Sequence, residues 1–237
     1  WEGGIRVNAF VSGGFLPLNV RGQRRSGLCA LWDWYGTFAA LGGVDPFDNR
    51  AHAASLPPVD AMNLWPYISG ETEQSPRRSI PLGSSTCVHV SAGCINEWGD
   101  APSQTEVSGL IVDERGNGGG LWKVLVGSIP MNGWQGPFFP NASTLTWAAE
   151  NAIMQCEPAC MFELSADPSE RVDLAHLFPE RTSRMLATLR KHNSTAFSPD
   201  RGAPDLQAAC SAAMSQYGGF WGPWLDADGQ VVAALNV

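Results

Sequence analysis

Residues Ile5 to Ser12 form a short, largely apolar run that ends on Gly13-Gly14, the pattern of a strand closed by a turn. Leu28, Leu31, Tyr35 and Phe38 then recur at helical spacing and predict a helix. Beyond Val44-Asp45-Pro46 the prolines of Leu56-Pro57-Pro58 and Trp65-Pro66 forbid continuous regular structure, which places a domain boundary near residue 70. From Ser79 the pattern changes to short apolar runs separated by glycines: Ile80 to Ser84, Val107 to Val112 and Leu121 to Gly127. The last two flank the glycine-rich stretch Arg115 to Gly120 and predict an antiparallel hairpin. Met161 to Leu164 predicts a fourth strand, stopped by Asp167-Pro168, where proline cannot donate to a ladder. Pro179 starts a helix with Glu180 at its positive end and Arg190, Lys191 and His192 at its negative end. Thr182, Met185, Leu186 and Leu189 fall on one face, able to cover a small antiparallel sheet.

The chain is 237 residues long and 44% hydrophobic, enough for one large domain or two small ones. Its 23 acidic and 15 basic residues give a net charge of -8 without runs of either sign, which argues against phosphate backbones and hence against nucleic acid as a partner. Lys123 and Lys191 are the sole lysines, so no polybasic stretch exists to hold an anionic membrane. No window approaches the 18 continuous apolar residues of a membrane span. The chain opens on Trp1 rather than Met, without signal-peptide zones, and reads as a piece of a longer protein. Six cysteines (Cys29, Cys87, Cys94, Cys156, Cys160 and Cys210) and the glycosylation acceptors Asn141-Ala142-Ser143 and Asn193-Ser194-Thr195 together favour a secretory or lysosomal route.

Most constellations that suggest chemistry read better as structure. Gly116 to Gly120 lacks the Gly-Lys-Ser/Thr ending of a phosphate loop and reads as a hairpin turn. Cys87-Val88-His89 with Cys94 has no second ligand pair for a structural zinc, which favours disulfides. His52, His176 and His192 have no metal-ligand spacing, and no serine lies in a Gly-x-Ser-x-Gly elbow. A glycosidase needs a carboxylate pair, and nothing selects one among acids such as Asp33, Asp45 and Asp60.

Trp1-Glu2-Gly3-Gly4-Ile5-Arg6-Val7 resembles the Trp/Tyr-Glu-Gly-Gly-x-Arg segment of the type I sulfatases, the family that includes the arylsulfatases. Further likenesses follow in the family's order. Trp32-Asp33-Trp34-Tyr35-Gly36-Thr37 resembles its Asp-Trp-x-Pro-Thr helix, and Leu121-Trp122-Lys123-Val124-Leu125 its Trp/Tyr-Lys-Leu strand. Phe162-Glu163-Leu164 through Asp167-Pro168-Ser169-Glu170 to Asp173-Leu174 resembles its Leu-Phe-Asp to Asp-Pro-x-Glu-x-x-Asn-Leu stretch. Trp221-Gly222-Pro223-Trp224 is similar to the tail of arylsulfatase B-like members. The likeness leaves gaps at about residues 84–106 and 128–155, and departs from the family at Asn8 and Gly36, where proline is usual.

The resemblance implies an α/β chain: the last part of an alkaline-phosphatase-like large domain over residues 1–70, then a smaller C-terminal subdomain over 71–237, a four-stranded antiparallel sheet with one helix and a Trp-rich tail. It implies hydrolysis of sulfate esters of sugars or aryl alcohols by a formylglycine made from the cysteine of Cys-x-Pro-x-Arg, with calcium bound by aspartates and asparagine. These elements, and a lysine a few residues before the Trp-Glu-Gly-Gly segment, are expected upstream of Trp1, so the chain alone is expected to be inactive and to lack the catalytic half of its own domain. Glu2, Gly3, Gly4 and Arg6 are the expected supports of the loop that presents that lysine; a plain structural ion pair is the competing reading. Cys156-Glu157-Pro158-Ala159-Cys160 imitates the nucleophile motif but lies late in the chain and has cysteine for arginine. A disulfide using Cys156 or Cys160, with Cys87 or Cys94 as possible partners, is the expectation there. In arylsulfatase B-like proteins the cysteine at the place of Cys210 bonds to the upstream domain. Two other classes compete: a noncatalytic carbohydrate-binding remnant whose ten tryptophans include sugar-stacking platforms, and a glycosidase of unrelated fold.

Overall fold

The computed structural model describes residues 1–85, 107–117, 119–129, 153–196 and 206–224. They fall into two compact units, with residues 206–224 in the second and all the others in the first. The first unit contains both sides of the boundary expected near residue 70. Cys87, Cys94 and Asn141 lie outside the described residues.

The first unit is built on four strands: β1 Ser79–Ser85, β2 Val107–Asp113, β3 Leu121–Ile129 and β4 Met154–Glu163. Their spatial order is β1-β2-β3-β4 and every pair is antiparallel. The β2–β3 hairpin runs in register from Asp113 opposite Leu121 to Ser108 opposite Val126. A 3₁₀ turn at Arg115–Asn117 reverses the chain, closed where the Glu114 N–H donates to the Gly120 carbonyl at 2.9 Å. A Cβ at Gly120 would stand 2.3 Å from Glu163 Oε1, the oxygen that accepts from the Leu121 N–H, so a side chain there would displace that carboxylate.

Alternate residues of the strands enter two cores. Leu110, Trp122, Val124, Ala159 and Met161 face Met185 and Leu189 of a covering helix. Ile111, Leu125, Ile129, Cys160 and Phe162 form the core of the opposite face, joined by Trp1 and Leu28. Both faces being covered, the strands read as near-continuous apolar runs rather than as alternating ones. The covering helix, Pro179–Asn193, starts on the proline as the sequence indicates and buries Thr182, Met185 and Leu189. Each of the two large side chains contributes about 1.5–3 kcal/mol of apolar burial.

Three expectations are corrected. No strand occupies residues 5–12; the chain opens on a four-residue helix, α1 Glu2–Ile5, and Phe10 stands 89% exposed. A strand needs a ladder partner, and among the described residues none pairs with this segment. The helix read from Leu28, Leu31, Tyr35 and Phe38 is present as α2 Asp33–Leu41, yet Leu31 and Phe38 are 80% and 63% exposed. Its buried face is instead Asp33, Gly36 and Thr37, satisfied by polar partners. Finally, β4 begins seven residues before Met161. Leu125 pairs with Cys160 and Gly127 with Cys156, so three residues bulge opposite one. The Glu-Pro-Ala sequence hides the strand because the proline cannot join its ladder.

Two short helices, α3 Asn49–Ala53 and α4 Trp65–Ser69, lie between α2 and the sheet in sequence. Asp48 caps α3, its carboxylate accepting from the Arg50 and Ala51 N–H groups. Counting on, the sheet-covering helix is α5, and α6, Leu206–Gln216, belongs to the second unit, where Ala212 and Ala213 are buried.

Candidate functional site

The Trp-Glu-Gly-Gly segment lies on the sheet through a cluster of buried charges. Lys123, the third residue of β3, is fully buried. Its ammonium hydrogen-bonds Glu170 Oε1 and lies 3.6 Å from Glu2 Oε1. Glu170 Oε2 accepts from the Glu2 N–H at 3.1 Å. The Trp1 ring covers the same ammonium, 6.0 Å from its centroid, and meets Phe162 edge-on at 6.2 Å.

Glu170 reaches this position from a built turn. Its N–H donates to the Asp167 carbonyl at 3.1 Å, and Asp167 Oδ2 accepts from the Arg171 and Val172 N–H groups. At φ +54° Glu170 occupies the left-handed region, uncommon for a residue with a side chain. The following segment is tied to β4: the Leu174 N–H donates to the Met161 carbonyl, and the Met161 N–H to Asp173 Oδ1. The Asp-Pro-x-Glu-x-x-Asp-Leu sequence therefore acts as a brace that aims one carboxylate at Lys123.

A second polar centre anchors α2. The Asp33 carboxylate accepts from the Ala30 and Met62 N–H groups at 2.8 and 2.9 Å and from two nitrogens of the buried Arg77 guanidinium, Nε at 2.6 Å. Arg77 also donates to the Asp60 carbonyl at 2.7 Å and lies over the Trp32 ring. Thr37 Oγ1 accepts from the Leu64 N–H. At the hairpin, hydrogen bonds from the Arg115 guanidinium hold the Asp113 carboxyl below its usual range, against a smaller opposing effect of burial. Burial alone would raise the Glu163 carboxyl, but donors at Ala166, Leu121 and Ser165 together bring it below its usual range.

Of the sequence-selected residues, Glu2 enters the Lys123 cluster, whereas Arg6 is exposed and 3.9 Å from Glu2, a weak surface pair. A Cβ on Gly3 or Gly4 would meet nothing within 4 Å. Cys156 and Cys160 are bonded to each other, and Cys29 and Cys210 are free thiols at the surface. The bonded pair offers no thiol for the nucleophile role its motif imitates. Asn193 ends α5, half-buried. Asp33 is committed to Arg77, Asp45 accepts from the Phe47 N–H, and Asp60 serves through its carbonyl. His52 packs against Phe47, and His192 Nε2 lies 3.4 Å from Ser79 Oγ. Among the described residues no three His, Cys, Asp or Glu side chains converge as a metal site. They therefore do not fit a calcium ion.

Sequence reasoning about the site passed over Arg77 and took Lys123 and Glu170 only as parts of family motifs. The signal was available: a lysine inside the apolar run Leu-Trp-Lys-Val-Leu-Val must find a buried anionic partner. The cluster is buried, and its ammonium and carboxylates face one another.

No family model matches the chain. It is 30% identical over 230 residues to mouse arylsulfatase J, an alignment that covers 94% of this chain and 34% of that protein. The chain thus spans about a third of the length of this curated relative. One solved structure, whose title concerns the metabolism of multiple glycosaminoglycans by Bacteroides thetaiotaomicron and names a 6S-sulf protein, aligns at 16% identity and TM-score 0.38 over 68% of this chain and 24% of its own. That likeness is too distant to support a fold. The sequence similarity to an arylsulfatase runs through nearly the whole chain and supports reading it as a fragment of a sulfatase.

Proposed function

We propose that this chain is the downstream part of a sulfuric ester hydrolase acting on sulfated sugars or aryl sulfates. The observation that carries the reading is the 30% identity to an arylsulfatase across 94% of the chain. Residues 1–70 are assigned to the end of a large alkaline-phosphatase-like α/β domain and 71–237 to the C-terminal subdomain. The formylglycine nucleophile and the calcium ligands are assigned, on the likeness to arylsulfatases, to other parts of the intact protein. A covalent nucleophile divides a hard displacement into two easier ones, and a divalent cation offsets charge on the sulfate oxygens. This chain alone contributes neither and is inactive.

Within that reading Glu2, Gly3, Gly4 and Arg6 support an active-site loop. What supports this is the buried carboxylate of Glu2 beside two glycines whose surroundings leave room for close approach by another group. A lysosomal or secreted destination accords with the family and with the Cys156–Cys160 disulfide, and Asn141 and Asn193 are the candidate glycan acceptors. No helix among the described residues is long and apolar enough to cross a membrane.

The test is the coding sequence directly upstream of Trp1. Cys/Ser-x-Pro-x-Arg together with paired aspartates is expected there; an upstream sequence lacking both rejects the proposal. One observation favours a second reading, a noncatalytic carbohydrate-binding remnant: Trp221 in the second unit is 72% exposed, beside an exposed Phe220. Retention of the purified chain on a glycan array, lost on Trp221→Ala, would select it.

A further inference from the structure

Beneath Trp1 two carboxylates share the Lys123 ammonium, Glu170 by a hydrogen bond and Glu2 at 3.6 Å, and the Trp1 amino group lies close enough to feel the charge of both. Glu2 Oε1 is buried and accepts no hydrogen bond among the described residues. Buried charges that are incompletely hydrogen-bonded are poor devices for stability, since an apolar set of similar volume does as well or better. Stability of the sheet therefore does not account for the arrangement.

Its geometry does something else. Lys123 is fixed on both sides by ladder partners, Ile111 on β2 and Phe162 on β4. Glu170 is fixed by the Asp167 turn and its left-handed backbone. From this rigid base Glu170 grips α1 twice, through the Glu2 N–H directly and through Lys123 to the Glu2 carboxylate. By itself α1 is held by little more than the Gly4 N–H to Trp1 carbonyl and Arg6 N–H to Glu2 carbonyl bonds, far short of a self-sustaining helix. We infer that Lys123 and Glu170 are positioning residues, a clamp that acts through Glu2 to set where Gly3, Gly4 and Arg6 are presented. The clamp stands on these contacts; its bearing on sulfate-ester turnover rests on the sulfatase reading.

Hydrogen exchange of the Gly4 and Arg6 amides in the 237-residue chain reads the clamp directly, with the amides of α5 as the internal reference. Glu170→Ala removes the direct grip on the Glu2 N–H and the acceptor that orients the Lys123 ammonium, and is expected to speed exchange at Gly4 and Arg6 by about tenfold or more while α5 is unchanged. Glu170→Gln keeps an acceptor for the Glu2 N–H and leaves Lys123 the Glu2 carboxylate, so exchange should stay within about threefold of the parent. Glu2→Ala removes one grip at the margin of the fold and should give an intermediate acceleration. It remains decisive even if Glu170→Ala does not fold. The inference is overturned if Glu2→Ala leaves both amides unchanged, if Glu170→Gln exchanges as fast as Glu170→Ala, or if α5 accelerates in parallel. No turnover enters the measurement, so its failure leaves the sulfatase reading standing, and the reverse also holds.

Discussion

Replacing Arg77 by methionine would test how α2 is held. The substitution removes the guanidinium that supplies two of the four donors to the buried Asp33 carboxylate, leaving only the Ala30 and Met62 N–H groups. It also strips the Asp60 carbonyl of its donor and removes the cation above Trp32. Breaking a buried pair by deleting one partner costs about 3–5 kcal/mol, because the remaining charge stays uncompensated. Arg77→Lys keeps the charge but cannot form the planar fork, and is expected to cost roughly half as much. The assay is urea-dependent exchange of the β3 amides, which belong to the same compact unit as Arg77. A second replacement, Asp33→Leu, placed on the methionine variant should recover part of the loss, so that the two changes are far from additive. An Arg77→Met chain within about 1 kcal/mol of the parent would show that the pair carries little of the unit's stability and refute the reasoning.

Three other outcomes are expected. Leu189→Ala empties a site between α5 and the sheet and should cost about 2–5 kcal/mol in the same exchange measurement, whereas Arg190→Ala, exposed one residue on, should cost little. Since Asp113 and Glu163 have carboxyls held low in the fold, their contribution is fully present above the ordinary carboxylate range near about pH 4 and is lost as pH falls through the depressed values. Acid unfolding of Asp113→Asn should accordingly be less steep below about pH 4 than that of the parent. The Cys156–Cys160 bond closes a very short loop, so Cys156→Ala with Cys160→Ala should cost about 2 kcal/mol in urea unfolding, at the low end of what disulfides contribute.

The sheet and α5 were legible because their signals are local. The apolar runs at 80–84, 107–112 and 121–127 fall within the strands at 79–85, 107–113 and 121–129, and Pro179, Glu180 and the basic end at 190–192 mark one helix from both ends. The bottom of α2 was not legible. Asp33 and Thr37 are buried because Ala30, Met62, Leu64 and Arg77 come to meet them, and no periodicity of apolar residues records such partners. The outward stripe of Leu31, Tyr35 and Phe38 instead suggests a covered face that the described residues leave exposed. Residues 5–12 misled because apolar content alone cannot supply a ladder partner. The site was half visible. Glu2 was selected by resemblance, but Lys123 and Glu170 meet it from 121 and 168 residues away in sequence, and that meeting belongs to the fold.

The central claim, that the chain is one part of a sulfatase whose chemistry resides elsewhere in the protein, is tested most directly by comparing two polypeptides on an aryl sulfate. One is the 237-residue chain; the other extends it upstream through the expected Cys/Ser-x-Pro-x-Arg segment and is produced in a host able to make formylglycine. Release of sulfate by the extended polypeptide, its loss on replacing the motif cysteine or serine by alanine, and none from the shorter chain is the expected result. Turnover by the 237-residue chain alone, or none by a folded and modified extended polypeptide on any aryl or sugar sulfate, would contradict it.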